Sequence, residues 1–237
     1  MSTKRHTRAF PAIGLALLLT GCAGLPEVYP PPANPFLAGA TPLASTTLAQ
    51  PVKVGLVWLA PASPAVLSQA AQQHLIGKIK ARFATGRPLE IVGATMIAAQ
   101  PGDMLAEVRK ASASFNVNQV LVIMPTGTEV ISPVWLHYGR DGRAVGTQTD
   151  SYVTVSLVGL DLNSGKSLYS VVANGEARLL ATDYEDARPF FPRISPGRTS
   201  AFIYPDRAAF PPGEVHAVAL EQAVNGLVYE LNRALGS

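Results

Sequence analysis

The stretch Ser151 to Leu180, SYVTVSLVGLDLNSGKSLYSVVANGEARLL, restricts the fold more than any other part of the chain. Val153, Val155 and Leu157 alternate with Tyr152, Thr154 and Ser156, a two-residue period that puts apolar side chains on one face of a strand and polar ones on the other. Asn163-Ser164-Gly165 breaks the run with turn-forming residues, and Gly165 can supply a positive φ without steric cost. Two antiparallel strands follow, Ser151 to Leu162 and Lys166 to Leu180, joined as a long hairpin. One apolar face of such a hairpin needs a cover, so helices must pack on it.

The rest of the chain supplies them. Val52 to Leu59, bounded by Pro51 and Pro61, reads as a Val-rich strand. Ser63 and Pro64 are an N-cap and first position for a helix on which Leu67, Ala71, Leu75, Ile79 and Phe83 recur every four residues, ending near Thr85-Gly86. Leu89 to Ile97 is a second strand, and Gly102 to Phe115 a second helix with Leu105, Val108, Ala111 and Phe115 on one face. Gln119 to Met124 is nearly continuous in apolar residues, as expected of a strand buried on both faces. His137 to Asp150, with Gly139, Gly142 and Gly146, reads as a mobile polar loop joining two strands. From Val215 to Leu235 the stripe Leu220, Val224, Leu227, Leu231 and Leu235 marks a final helix. The order predicts an α/β (α+β) fold: a mixed β-sheet of about five strands with a long antiparallel hairpin, and helices packed on it, including a C-terminal helix.

The amino-terminal end carries a different message. Lys4, Arg5 and Arg8 precede the apolar run Ala9 to Leu19, which is too short for the roughly 20 residues a spanning helix needs. Cys22 is the only cysteine in the chain, so it forms no internal disulfide. Leu19-Thr20-Gly21-Cys22 resembles the lipobox of bacterial lipoproteins at each position. That resemblance implies a signal peptide over 1–21, a diacylglycerol on the Cys22 sulfur, cleavage before Cys22 and acylation of the new amino terminus. Ala23, standing where inner-membrane lipoproteins carry Asp, implies transfer to the outer membrane, facing the periplasm. Removing the signal also removes three bases and no acid, leaving sixteen of each sign, so the global charge gives no argument for nucleic acid. Lys78, Lys80, Arg82 and Arg87 are a modest cluster, and a solvated helix face accounts for them. Residues 22–51 hold the lipidated cysteine and a Pro/Ala-rich segment in which Pro26, Pro30, Pro31, Pro32, Pro35 and Pro42 recur too closely for a helix, which reads as a flexible tether. Residues 52–237 are then a single mixed α/β domain.

The Val-rich opening strand, a middle helix followed by an apolar strand, and above all the segment Ser151 to Ser170 resemble a group of envelope proteins that includes the curli-secretion lipoprotein CsgG, the penicillin-binding-protein activator LpoB and the N-terminal domain of TolB. In that group a strand ending in Asp-x-x-x-Gly-[Lys/Glu] leads into its paired strand, as Asp161, Gly165 and Lys166 do here. Rhombosortase-associated lipoproteins are similar in the same elements, but they end in a Gly-Gly motif, an apolar span and a basic tail, where this chain ends Leu231-Asn232-Arg233-Ala234-Leu235-Gly236-Ser237.

Signatures of chemistry are sparse. Gly159 and Gly165-Lys166-Ser167 are separated by five residues, where a phosphate-binding loop needs four, and strands flank the motif on both sides. His74, His137 and His216 lack zinc-helix spacing and a cysteine partner. No Gly-x-Ser-x-Gly elbow occurs. The reading therefore assigns no catalytic residue, no metal, no nucleotide and no cofactor beyond the covalent lipid on Cys22. One segment stands out: 183–213 carries six of the seventeen aromatic residues, including Phe190, Phe191, Phe202, Tyr204 and Phe210, beside Arg193 and Arg198. Aromatic rings and arginine are enriched at protein interfaces, and a lid over the sheet is the alternative for the same rings. The expected function is that of a non-enzymatic lipoprotein of the periplasmic face of the outer membrane, binding an envelope protein or itself as an assembly or accessory factor. The rival readings are an envelope enzyme with a dispersed active site and a subunit of a secretion or assembly complex.

Overall fold

The computed structural model describes residues 29–44, 52–61, 69–83, 89–138, 142–182 and 215–235, of which 133–138, 142–147 and 180–182 are described in backbone only. Among them lie strands β1 (Thr41–Pro42), β2 (Val52–Ala60), β3 (Leu89–Ala98), β4 (Gln119–Tyr138), β5 (Gly142–Asp161) and β6 (Ser167–Thr182), and helices α1 (Gln69–Arg82), α2 (Met104–Ser112) and α3 (Val215–Ala234). The strands form one mixed sheet in the order β1-β6-β5-β4-β2-β3. β2 pairs in parallel with both β3 and β4, and β4, β5 and β6 are antiparallel neighbours.

Connection handedness distributes the helices. The chain steps from β2 outward to β3 and then back across β2 to β4, so two right-handed crossovers place α1 and α2 on opposite faces of the sheet. One face buries Leu56, Trp58, Leu121, Ile123 and Val155 beneath α1 and α3. The other buries Val57, Leu59, Val120 and Val122 with Val108 of α2. Leu75 and Ile79 of α1 and Phe83 just after it, and the expected stripe Leu220, Val224, Leu227 and Leu231 of α3 with Leu235 just beyond its end, are at most 5% exposed. Lys78 of α1 is paired with the buried Glu221 of α3, tying the two helices together. Asp103 caps α2 by accepting from the Ala106 amide, and Gly165 turns the β5–β6 connection at φ +72°.

Three expectations are corrected. The sheet gains a sixth strand, because residues 29–44 do not behave as tether: they form a strap on the face opposite α3. Prolines hold the strap extended and remove its N–H groups, so it can bind chiefly through carbonyls, and the sheet supplies hydroxyl donors. Thr154 Oγ1 donates to Pro30 O at 2.7 Å, Thr126 Oγ1 to Pro31 O at 3.2 Å and Ser167 Oγ to Phe36 O at 2.7 Å. Asn34, 4% exposed, donates to Val122 O at 3.1 Å and accepts from the Phe36 amide. The other parts of 22–51 lie outside the described residues. Second, 142–150 are strand rather than loop, because β4 runs on past Met124 through Pro125 to Tyr138 and pairs with β5 along its full length. Third, α2 stops at Ser112 and a single 3₁₀ turn carries the chain to Phe115. The start of α1 at Ser63 and Pro64 falls outside the described residues.

Candidate functional site

β2 accompanies β4 only as far as Ile123, and β1 accompanies β6 only at Tyr169 and Ser170. Beyond those points, among the described residues, β4, β5 and β6 continue as a three-stranded antiparallel ribbon with both outer edges open. Pro125 and Pro133 fall on the same alternating set of β4 residues. A proline is tolerated in a strand where its missing N–H would face an open edge, which fits the departure of β2. Between them Val130 and Ile131 are 48% and 65% exposed. Long open edges with apolar side chains are templates for added strands.

The strap face of the ribbon carries a polar cluster. Asp150 and Arg178 are direct cross-strand partners in the β5–β6 register, with Arg178 Nε 2.5 Å from Asp150 Oδ1 and Gln148 Nε2 2.6 Å from Asp150 Oδ2. The bond to Asp150 raises the Arg178 pKa further above its already high value. Two residue pairs along the register from Asp150–Arg178, Tyr29 of the strap donates to Glu176 at 2.9 Å and sets its ring edge-on to Tyr152, centroids 5.7 Å apart at 88°. Burial, and then the Glu176 hydrogen bond, raise the Tyr29 pKa, so it remains a phenol and a donor at any physiological pH.

The opposite face holds Ser151 Oγ 3.0 Å from His216 Nδ1, at the first turn of α3, with the imidazole lying over Gly127. A side chain at Gly127 would meet the ring at 2.1 Å, so the glycine makes the seat for the histidine. Serine beside histidine suggests nucleophile and base, but Ser151 has no exposed surface and its Oγ cannot meet a substrate carbonyl. The pair works as a strut between β5 and α3. Burial lowers the His216 pKa, so the folded state favours the neutral ring. The unfolded chain then binds more protons below about pH 6.5, and stability is present above that pH and declines as pH falls through the depressed folded value. Replacing His216 by Asn keeps a polar partner for Ser151 and removes the titration. Thermal melts between about pH 7 and pH 5 should show a shallower loss of stability in His216→Asn than in the wild type.

Cys22 and the lipobox residues Leu19, Thr20 and Gly21 lie outside the described residues, as do Phe190, Phe191, Phe202, Tyr204, Phe210, Arg193 and Arg198. Their described flanks, however, fall together. β6 ends at Thr182, in register with Gly146, and α3 begins beside Ser151, so the described flanks of segment 183–213 both lie at the ribbon. The strap enters there too, at Tyr29. Of His74, His137 and His216, the first is on α1, the second in β4 and the third in the first turn of α3; among the described residues no group of three or more His, Cys, Asp or Glu could hold a metal ion. No helix among them is long and apolar enough to cross a membrane. Asp150, Arg178, Glu176 and Tyr29 were not singled out by sequence. The Asp150–Arg178 pair was nonetheless recoverable, because the pairs from Gly146 to Gly159 are symmetric about Ser164, the middle of the expected turn.

No family model matches the chain, and no curated protein matches it in sequence. Among solved structures it is similar to the PelC dodecamer from Paraburkholderia phytofirmans, at 13% identity and TM-score 0.36 over 82% of this chain and 95% of that one. It is also similar to protein CT253 from Chlamydia trachomatis, at 11% and 0.30 over 78% of this chain and 100% of that one. Lipoprotein GNA1162 from Neisseria meningitidis matches at 14% and 0.24 over 52% of this chain and 82% of that one.

Proposed function

We propose that the chain is a non-enzymatic lipoprotein of the periplasmic face of the outer membrane, anchored by acyl chains on Cys22, which binds another envelope protein or a second copy of itself through segment 183–213. The observation that supports this most is a coincidence of placement. The strap leading back to Cys22 enters the domain at the ribbon, and both flanks of the Arg- and aromatic-rich segment are fixed to the same ribbon. An anchor and an interface at one end let a domain meet partners held at the same membrane. Photocrosslinking in intact cells, from a photoreactive residue at position 190 or 191, tests this reading.

The open edge of β4, with Val130 and Ile131 exposed, favours a second reading, a subunit of an assembly complex joined by strand addition. A photoreactive residue at Ile131 distinguishes the two, since crosslinks would then come from 131 and not from 190 or 191.

A further inference from the structure

We propose that the far end of the β4–β5 hairpin, residues 134–138 with the facing stretch 142–146, rests in the interfacial layer of the bilayer that holds Cys22. This rests on the lipoprotein reading of Cys22 and adds to it a second, direct contact between protein and membrane.

The argument begins with the direction of the strap. Tyr29 sits at the level of Tyr152 and Glu176, Pro30 and Pro31 at Thr154 and Thr126, Asn34 at Val122 and Phe36 at Ser167. Read from its start, the strap therefore runs away from the hairpin tip, and Tyr29 is its residue nearest the tip. Cys22 is seven residues before Tyr29, and a fully extended chain covers at most about 3.6 Å per residue, so the sulfur lies within roughly 25 Å of Tyr29. In register, Tyr152 faces Thr128, and β4 continues for ten more residues to Tyr138. At about 3.4 Å per residue the hairpin extends some 34 Å beyond the level of Tyr29. The leash is shorter than the ribbon, so a domain hung from Cys22 with the strap leading toward the membrane brings the hairpin end to the lipid surface.

The sequence at that end suits the place. Val134-Trp135-Leu136-His137-Tyr138 contains Trp and Tyr, two residue types that concentrate at membrane interfaces, and the paired stretch includes Arg143, a base of the kind anionic lipid surfaces attract. Five residues are too few to span, since a membrane strand needs about 9 to 11, so the contact is interfacial.

Tryptophan fluorescence tests the proposal with little interference. The chain has two tryptophans; Trp58 has no exposed surface and donates to Gln72 at 2.8 Å, so it reports an intact core. Full-length acylated protein is reconstituted into vesicles of phosphatidylethanolamine and phosphatidylglycerol, with and without brominated acyl chains. The expected result is loss of the Trp135 share of the emission in brominated vesicles, with the Trp58 share unchanged, and no such loss in Trp135→Phe. Acylated, vesicle-bound protein whose emission is the same in both lipids would overturn the hairpin contact and leave the lipoprotein reading standing. A chain found by mass to lack acyl groups, and staying off the vesicles, would overturn both.

Discussion

Cys22→Ser is expected to abolish acyl labelling completely and to leave the precursor uncut or wrongly cut. The thioether is the chemical step on which cleavage and the second acylation depend in lipoproteins, and serine offers no thiolate to make it. The physical consequence is large because each buried methylene contributes about 0.8 kcal/mol: a single chain gives only marginal binding, whereas two or three hold firmly. Growth with labelled palmitate, followed by intact-mass measurement and membrane fractionation, checks the prediction. The wild type should label and leave cells with the outer membrane, and the variant should do neither. A wild-type mature chain that is unacylated and free in the periplasm would contradict it.

Gly175→Val should be the most destabilising single change in the described core. A β-carbon at Gly175 would stand 2.1 Å from Ala219 O, 2.5 Å from Ala223 N and 3.1 Å from Ala223 Cα, all backbone atoms of α3. No rotamer can relieve a clash with backbone, so the helix must lift off β6. Leu220, Val224, Leu227 and Leu231, each 1% exposed, would lose contact together. Overpacking ordinarily costs about 1–3 kcal/mol, and a displaced helix places this case at or above the upper end. For a domain of this size that is a fall in melting temperature of roughly 6–12 °C. Gly226→Ala is the control: its new carbon meets Ala173 Cβ at an ordinary 3.5 Å, and the helix gains up to about 1 kcal/mol in propensity. An unchanged melting temperature for Gly175→Val would mean that α3 does not seat on β6.

These two substitutions mark how far the sequence could be read. The hairpin and the α3 stripe were legible because each repeats a simple period, and the parallel strands because they are short apolar runs, while the turn at Asn163-Ser164-Gly165 even carried the pairing register. The strap was not, because a proline-rich segment has the same composition whether it is free or laid along a sheet. What decides is the row of hydroxyls beneath it, and Thr154 and Ser156 look in sequence like the solvent face of a strand. They are 2% and 0% exposed. Pro125 and the glycines after Gly139 likewise read as breaks, since a strand's tolerance of proline depends on which neighbour has departed. Ser151–His216 and Tyr29–Glu176 join residues 65 and 147 apart in sequence, and only the assembled sheet brings such pairs together.

The central claim is that segment 183–213, whose described flanks Thr182 and Val215 belong to β6 and α3, is a protein-binding surface. It is tested most directly by the in-cell crosslinking at positions 190 and 191, read as the mass of the adducts. The account predicts discrete species heavier than the chain by the mass of an envelope protein or of a second copy, formed from both positions and lost when Cys22→Ser removes the anchor. Adducts confined within a single chain, with the rings crosslinked to their own sheet, would contradict it and make the segment a lid.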